Sequence, residues 1–202
     1  LNLKQFKTEI KTIMKKTILS LTLATVFGSS VNANPIKETK EVKTAESTVT
    51  WKGYKVGGSH EGTISLKSGA LEFDGEKLVG GEFVVDMTSI STTDLEGDYK
   101  GQLDGHLKSD DFFGTANHPT AKLVFTKVES TGKNSYDVTG NLTIKGTTEP
   151  VTFEVSVYGD KATASLKVDR TKYDVKYGSG IIGTAKDKLI YDEFDLVVDL
   201  QM

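Results

Sequence analysis

Residues 136–169 read YDVTGNLTIKGTTEPVTFEVSVYGDKATASLKVD. Tyr136, Val138, Leu142 and Ile144 share one parity, with Gly140 between them, while Asp137, Thr139, Asn141, Thr143 and Lys145 take the other. Val151, Phe153, Val155 and Val157 then alternate with Thr152, Glu154 and Ser156, and Ala162, Ala164, Leu166 and Val168 with Thr163, Ser165 and Lys167. A period of two marks strands with one apolar and one wet face. Parallel strands buried on both faces would read as unbroken apolar runs, so the sheet is antiparallel. Gly146 and the run Tyr158-Gly159-Asp160-Lys161 supply tight hairpin connections.

The same pattern extends in both directions. Phe194, Leu196, Val198 and Leu200 alternate with Asp195 and Asp199, and Phe73-Asp74-Gly75-Glu76 carries hairpin chemistry. Pro119 and Pro150 fall at strand entrances, where a missing N–H is tolerated. The expected strands are 47–56, 61–74, 77–88, 120–130, 134–145, 148–158, 161–169 and 189–201. This is an all-β protein. Eight meandering antiparallel strands form either a sandwich or a closed barrel. Closure removes exposed edges and encloses room for one small ligand, which favours the eight-stranded antiparallel β-barrel.

Two segments interrupt the meander as short helical insertions or long connections. In Thr92 to Lys108, Leu95, Tyr99, Leu103 and Leu107 recur every four positions, a helical stripe weakened by Gly97, Gly101 and Gly105. Arg170 to Lys186 places Tyr173, Val175 and Tyr177 beside Gly178-Ser179-Gly180, and its aromatic content implies packing at a barrel mouth.

The N-terminal stretch reads as an address. Met14-Lys15-Lys16 is a short positive region, Ile18 to Phe27 is apolar and uncharged, and Val31-Asn32-Ala33 fits a small-residue cleavage rule. Together they predict a signal peptide starting at Met14 and cut after Ala33, with residues 1–13 upstream of the start, and hence export to the periplasm. The apolar run is shorter than the ~20 residues a spanning helix needs, so the protein is not membrane-spanning. Removing residues 1–33 takes away five lysines and one glutamate, moving the net charge from −3 to −7. Residues 34–46, rich in Lys, Glu and Thr, read as a flexible leader ahead of a barrel domain over 47–202.

Composition excludes several kinds of chemistry. There is no cysteine, hence no disulfide, thiol nucleophile or thiolate metal site. An acidic chain is a poor partner for nucleic acid. No nucleotide loop, nucleophile elbow or zinc-protease motif is present, and no cofactor is expected. His60, His106 and His118 lie far apart in loops by this reading, more consistent with hydrogen bonding than with a metal. His106, Ser109, Asp110 and Asp111 supply triad residue types without triad geometry. Enzyme activity is not suggested.

One stretch goes beyond pattern. His106-Leu107-Lys108-Ser109-Asp110-Asp111-Phe112-Phe113, followed by His118-Pro119-Thr120-Ala121-Lys122-Leu123-Val124-Phe125, resembles the H-L-[RK]-S-x-D-F-F signature of the YceI-like family. Ser89-Ile90-Ser91-Thr92 is similar to the segment ahead of that signature. Residues 138–151, VTGNLTIKGTTEPV, resemble the family's hairpin, and Asp169-Arg170-Thr171 its D-R-T turn. The resemblance runs from about Ser47 to Leu200. It departs at Leu103-Asp104-Gly105, where the family often has Arg-Asp, and in the first strand, Val49 to Lys55. It implies a lipocalin-like barrel, exported, that binds a long-chain lipid of the polyisoprenoid or isoprenoid quinone class.

Parity nominates the cavity lining: Trp51 with Val49; Phe83 with Val79, Val85 and Met87; then Leu123 and Phe125, Leu142 and Ile144, and Phe153 and Val155. Phe112 and Phe113 are candidates to gate or plug the mouth. Lys55 and Arg170 are candidate headgroup partners, Arg170 alternatively pairing with Asp110 or Asp111. Burying hydrocarbon yields about 0.8 kcal/mol per CH₂ against an association cost of about 4–15 kcal/mol, so long tails are favoured. The expected function is to sequester or carry such a lipid. The alternative is a filled β-sandwich serving as a structural or protein-interaction module without a ligand. A homodimer is left open.

Overall fold

The computed structural model describes residues 37–202. The predicted signal peptide and residues 34–36 lie outside that range. Nine strands follow in order: β1 (Lys37–Glu41), β2 (Thr48–Lys55), β3 (Gly58–Asp74), β4 (Lys77–Thr92), β5 (Thr120–Ser130), β6 (Ser135–Ile144), β7 (Thr147–Tyr158), β8 (Lys161–Asp169) and β9 (Ile190–Gln201). One helix, α1 (Gly97–Lys108), separates β4 from β5, and three short 3₁₀ turns lie between β8 and β9. All pairings are antiparallel, and the chain of neighbours closes because β3 bonds both β2 and β4. The result is a closed eight-stranded barrel, which excludes the sandwich alternative.

The ninth strand is the main departure from the expected layout. Lys37–Glu41, within the segment read as a flexible leader, pairs with Ala70–Asp74 of β3. Glu41 faces Ala70 and Val49 faces Ile64, so β1 and β2 run along the same edge of β3 with two residues in excess. That excess bulges out between them, held where the Lys43 N–H donates to the Gln201 carbonyl and Ser47 Oγ to the Lys43 carbonyl. Unpaired N–H and C=O groups on the far half of the 17-residue β3 recruit this segment despite its polar composition.

Bulges also reset parity in β4. Phe73 faces Leu78 while Glu72 faces Gly80, so Val79 is skipped and turned outward, 40% exposed, contrary to its expected place beside Phe83. A second irregularity over 87–90 is pinned by Asp86, whose Oδ1 accepts the Thr88 N–H, and by Ser89 Oγ, which accepts the Ser65 N–H. The β6–β7 turn, Lys145-Gly146, has positive φ at both positions (50° and 77°), the two-residue geometry whose twist matches the flanking strands.

The tight hairpins at 74–77 and 158–161, with the 130–135 turn, lie at one end of the barrel. Leu71, Phe73, Leu78, Tyr136 and Met202 are buried there and close it. At the other end, α1, the loop 109–119 and the 170–189 connection gather over the strand ends. The apolar contact of α1 with the barrel comes from its last turns, where Leu107 is buried and Leu103 partly so, whereas Tyr99 is 75% exposed and Lys100 in the first turn bonds Ser91 and Thr92 of β4. The helical stripe therefore faces inward over half its length.

Candidate functional site: an apolar cavity along the barrel axis

Natural cores hold few voids larger than a water molecule. This interior holds three apolar cavities in series. A central one of about 130 Å³ is lined by Trp51, Ile64, Met87, Phe112, Phe113, Ile144, Arg170 and Phe194, among others. A deep one of about 90 Å³, toward the closed end, is lined by Leu71, Phe83, Leu123, Phe125, Phe153, Val155, Leu166 and Leu200. Val49, Val85, Leu142 and Leu196 line both, so these four side chains form the waist between them. A third, of about 190 Å³, lies between α1 and β2–β3 and is lined by Tyr54, Lys55, His60, Leu103 and His106. It shares Trp51, Leu107, Phe112 and Ile190 with the central cavity and forms the mouth. Along β9 the lining runs from Ile190 to Leu200, about 33 Å of strand and about 25 Å of axis at the usual tilt.

Of the apolar residues nominated by parity, all but Val79 line these cavities, Trp51, Phe83, Val85, Leu123, Phe125, Leu142, Phe153 and Val155 among them, and the mouth candidates Phe112 and Phe113 line the central one. Aromatic edges hold the walls in place. Phe83 and Phe125 have centroids 5.7 Å apart, Phe125 and Phe153 also 5.7 Å, and Phe112 meets Phe113 at 5.0 Å in a T-shape. Glycines make room for the rings. A Cβ on Gly62 would come 2.0 Å from the Ser91 carbonyl and 2.6 Å from the Trp51 ring, and one on Gly81 2.9 Å from Phe125. Trp51 lies across the strand from Gly62, and its indole N–H donates to the Thr63 carbonyl at 3.3 Å.

The two candidate headgroup residues sit differently. Lys55 is exposed and lines the mouth. Arg170 is 2% exposed and lines the central cavity. Its guanidinium donates to the carbonyls of Val175 (2.7 Å), Ile190 (2.9 Å) and Tyr191 (3.0 Å), and lies 5.5 Å from the centre of the Phe112 ring. Its nearest carboxylate is Asp192 at 3.8 Å, which corrects the expected pairing with Asp110 or Asp111. Asp110 instead accepts from the Asn117 amide. Burial lowers the Arg170 pKa from its usual value, while Asp192 and Asp169 oppose that shift.

Sequence reading missed the polar parts of the mouth. His60 lies on β3 and His106 on α1, not in loops. His60 Nδ1 is 2.9 Å from Asp94 Oδ2. His106 is wedged against Phe112 (5.5 Å) and Tyr177 (4.4 Å), with its Nε2 buried and unpartnered. His118 sits by Gly114 and Gly146, beyond the mouth lining. These placements depend on where α1 and the 170–189 connection fold back, which no local spacing encodes. Asp104 anchors α1: its carboxylate accepts the Thr92 N–H at 2.7 Å and pairs with Lys100 at 3.0 Å. Burial alone would raise its pKa, but the bonds from Thr92 and Lys100 outweigh it and hold it below the usual carboxylate value.

A closed barrel whose inward face is apolar and hollow is a barrel-type binding protein. Its outer face carries Glu82, Lys122, Lys127, Glu154, Lys167 and Asp195, the inverse of a lipid-facing membrane barrel. Among the described residues, no helix is long and apolar enough to cross a bilayer. Residues 41–202 match the YceI-like domain, and the chain belongs to that family. It is 33% identical over 149 residues to a UPF0312 protein of Pseudomonas putida (strain W619), covering 73% of this chain and 76% of that one. A UPF0312 protein of Pseudomonas fluorescens (strain SBW25) is 34% identical over 151 residues, with the same coverage. Neither name denotes an enzyme. The crystal structure of BcnA from Burkholderia cenocepacia is similar with a TM-score of 0.62 and 25% identity, over 79% of this chain and 98% of that one.

Proposed function

We propose that this protein is a non-enzymatic carrier that encloses the hydrocarbon tail of a long-chain, isoprenoid-like lipid in the barrel and sequesters or transports it in the periplasm. The observation that carries the reading is the series of three apolar cavities sharing lining residues from the mouth to the closed end. Dry cavities of this scale hold apolar guests. Each buried CH₂ contributes about 0.8 kcal/mol, and an axis of about 25 Å rewards a long chain over a small molecule. Arg170 uses three of its five N–H donors on carbonyls, leaving donors for a polar group of the ligand, and Lys55 offers a second cation at the mouth. The sequence from Met14 to Ala33 supports export.

Organic extraction of purified protein followed by mass spectrometry tests this. A long-chain lipid released in stoichiometric amount is the expected result; protein that yields none, and takes up none when offered, overturns the reading. An esterase screen with a His106→Ala control tests the non-enzymatic part: activity lost in that variant would overturn it.

A further inference from the structure

We propose that the mouth end of the barrel docks on a lipid bilayer surface bearing anionic headgroups, with Ile181 and Ile182 as the inserted tip. This deepens the lipid-binding reading and rests on it, since it places the cavity entrance against the phase from which such a ligand is taken. Around the mouth, Val56, Tyr177, Ile181, Ile182 and Tyr191 are 44%, 47%, 65%, 57% and 50% exposed. They belong to one neighbourhood. The Val56 N–H donates to the Leu189 carbonyl at 3.0 Å, the Ile190 N–H to the Gly178 carbonyl at 2.8 Å, and Leu189 lies 3.5 Å from the Cβ position of Gly180. The patch is continuous with the cavity, because Tyr191 lines its central part and Tyr177 meets His106 edge-to-face at the mouth.

The two isoleucines are held outward by built structure. Ser179 is fully buried; its Oγ donates to Asp192 at 2.6 Å and accepts the Ile181 N–H at 3.2 Å, starting the 3₁₀ turn Gly180–Ile182. Gly183, with φ 74°, ends that turn. An anchored turn that presents two adjacent isoleucines to solvent needs an apolar counterpart. Charge decides which. The segment 170–189 holds five cations and two acids within a chain of net charge −3, and Lys172, Lys176, Lys186 and Lys188 are exposed. Of the acids near the mouth, Asp94 is already engaged, bonding His60 and the Glu61 N–H on the β3 side. Apolar tips flanked by lysines are the chemistry of interfacial binding to anionic lipid.

Co-sedimentation of purified protein with phosphatidylcholine vesicles, with and without phosphatidylglycerol, tests the proposal. The protein is expected to sediment with the anionic vesicles and to be released by salt. Ile181→Glu/Ile182→Glu should lower vesicle affinity at least tenfold, and Lys186→Gln/Lys188→Gln about fivefold per lysine. Tyr158→Glu, a 59% exposed aromatic at the opposite end of the barrel, should leave it unchanged. Equal binding to uncharged vesicles, or equal loss in Tyr158→Glu, overturns the proposal. So does a concentration-dependent dimer abolished by Ile181→Glu/Ile182→Glu without any vesicle binding, which assigns the face to a second copy. Lipid content measured on the same samples separates the two readings. Protein that carries lipid but ignores vesicles defeats docking alone, and protein that docks but carries nothing defeats the carrier reading alone.

Discussion

The Arg170 guanidinium lies 5.5 Å from the centre of the Phe112 ring, joining the end of β8 to the loop after α1. Three carbonyl bonds from the same side chain gather residues 175, 190 and 191 around it. One buried cation therefore holds together the elements that roof the central cavity. Arg170→Met would leave those carbonyls without their donors, and each orphaned polar group costs about 1–3 kcal/mol. A loss of about 3 kcal/mol or more is expected in urea unfolding. Arg170→Lys should restore only part, because an ammonium lacks the planar fork.

Val85 and Leu142 stand at the waist between the central and deep cavities. Val85→Trp should fill that waist and cut bound lipid at least tenfold by extraction, while circular dichroism keeps its strand signature. Full lipid content in this variant would show that the tail does not pass the waist.

Gly62 lets β3 approach β4 and Trp51 at once. Gly62→Ala, with its Cβ 2.0 Å from the Ser91 carbonyl, has no room without moving backbone. A loss of about 3 kcal/mol is expected, at the upper end of the usual overpacking range, together with a shift in Trp51 emission.

The Tyr173 hydroxyl is buried without a partner, and burial pushes its pKa up to about 12. Tyr173→Phe should raise stability by about 1 kcal/mol by removing a desolvated polar group. Spectrophotometric titration of the wild type should show Tyr173 ionising late, together with Tyr54, which its bond to Asp195 raises, and Tyr173→Phe should remove one of these late steps.

Asp104 gives a pH dependence of defined sign. Its pKa is lowered on folding, so its contribution is present above the unfolded value of about 3.9 and is lost as pH falls through the lower folded value. Asp104→Asn should be less stable than wild type at pH 7, by about 1–2 kcal/mol, with the gap closing below about pH 4. Thermal melts across pH 2–7 read both curves. A gap that is constant across the range would remove Asp104 as the anchor of α1.

The alternation from Tyr136 to Val168 was enough to read three consecutive strand faces, because a half-buried antiparallel strand must repeat its pattern every two residues. Applied along the chain, that local rule located eight of the residues that line the cavities, while Phe112 and Phe113 came from the motif after α1. It failed at Val79, where a bulge moves one residue out of register, and at Lys37–Glu41, where the demand for pairing comes from β3 and not from the segment itself.

The period of two, the hairpin turns and the motif around His106 therefore determined an antiparallel barrel of the YceI-like kind from sequence alone. Closure through β3–β4, the hollow interior, the carbonyl cage of Arg170 and the outward isoleucine turn were decided by the tertiary structure. The physical reason is range. Face and turn are set by neighbours in the chain, whereas a cavity is the space left when eight strands meet across many residues, and no local pattern records that volume.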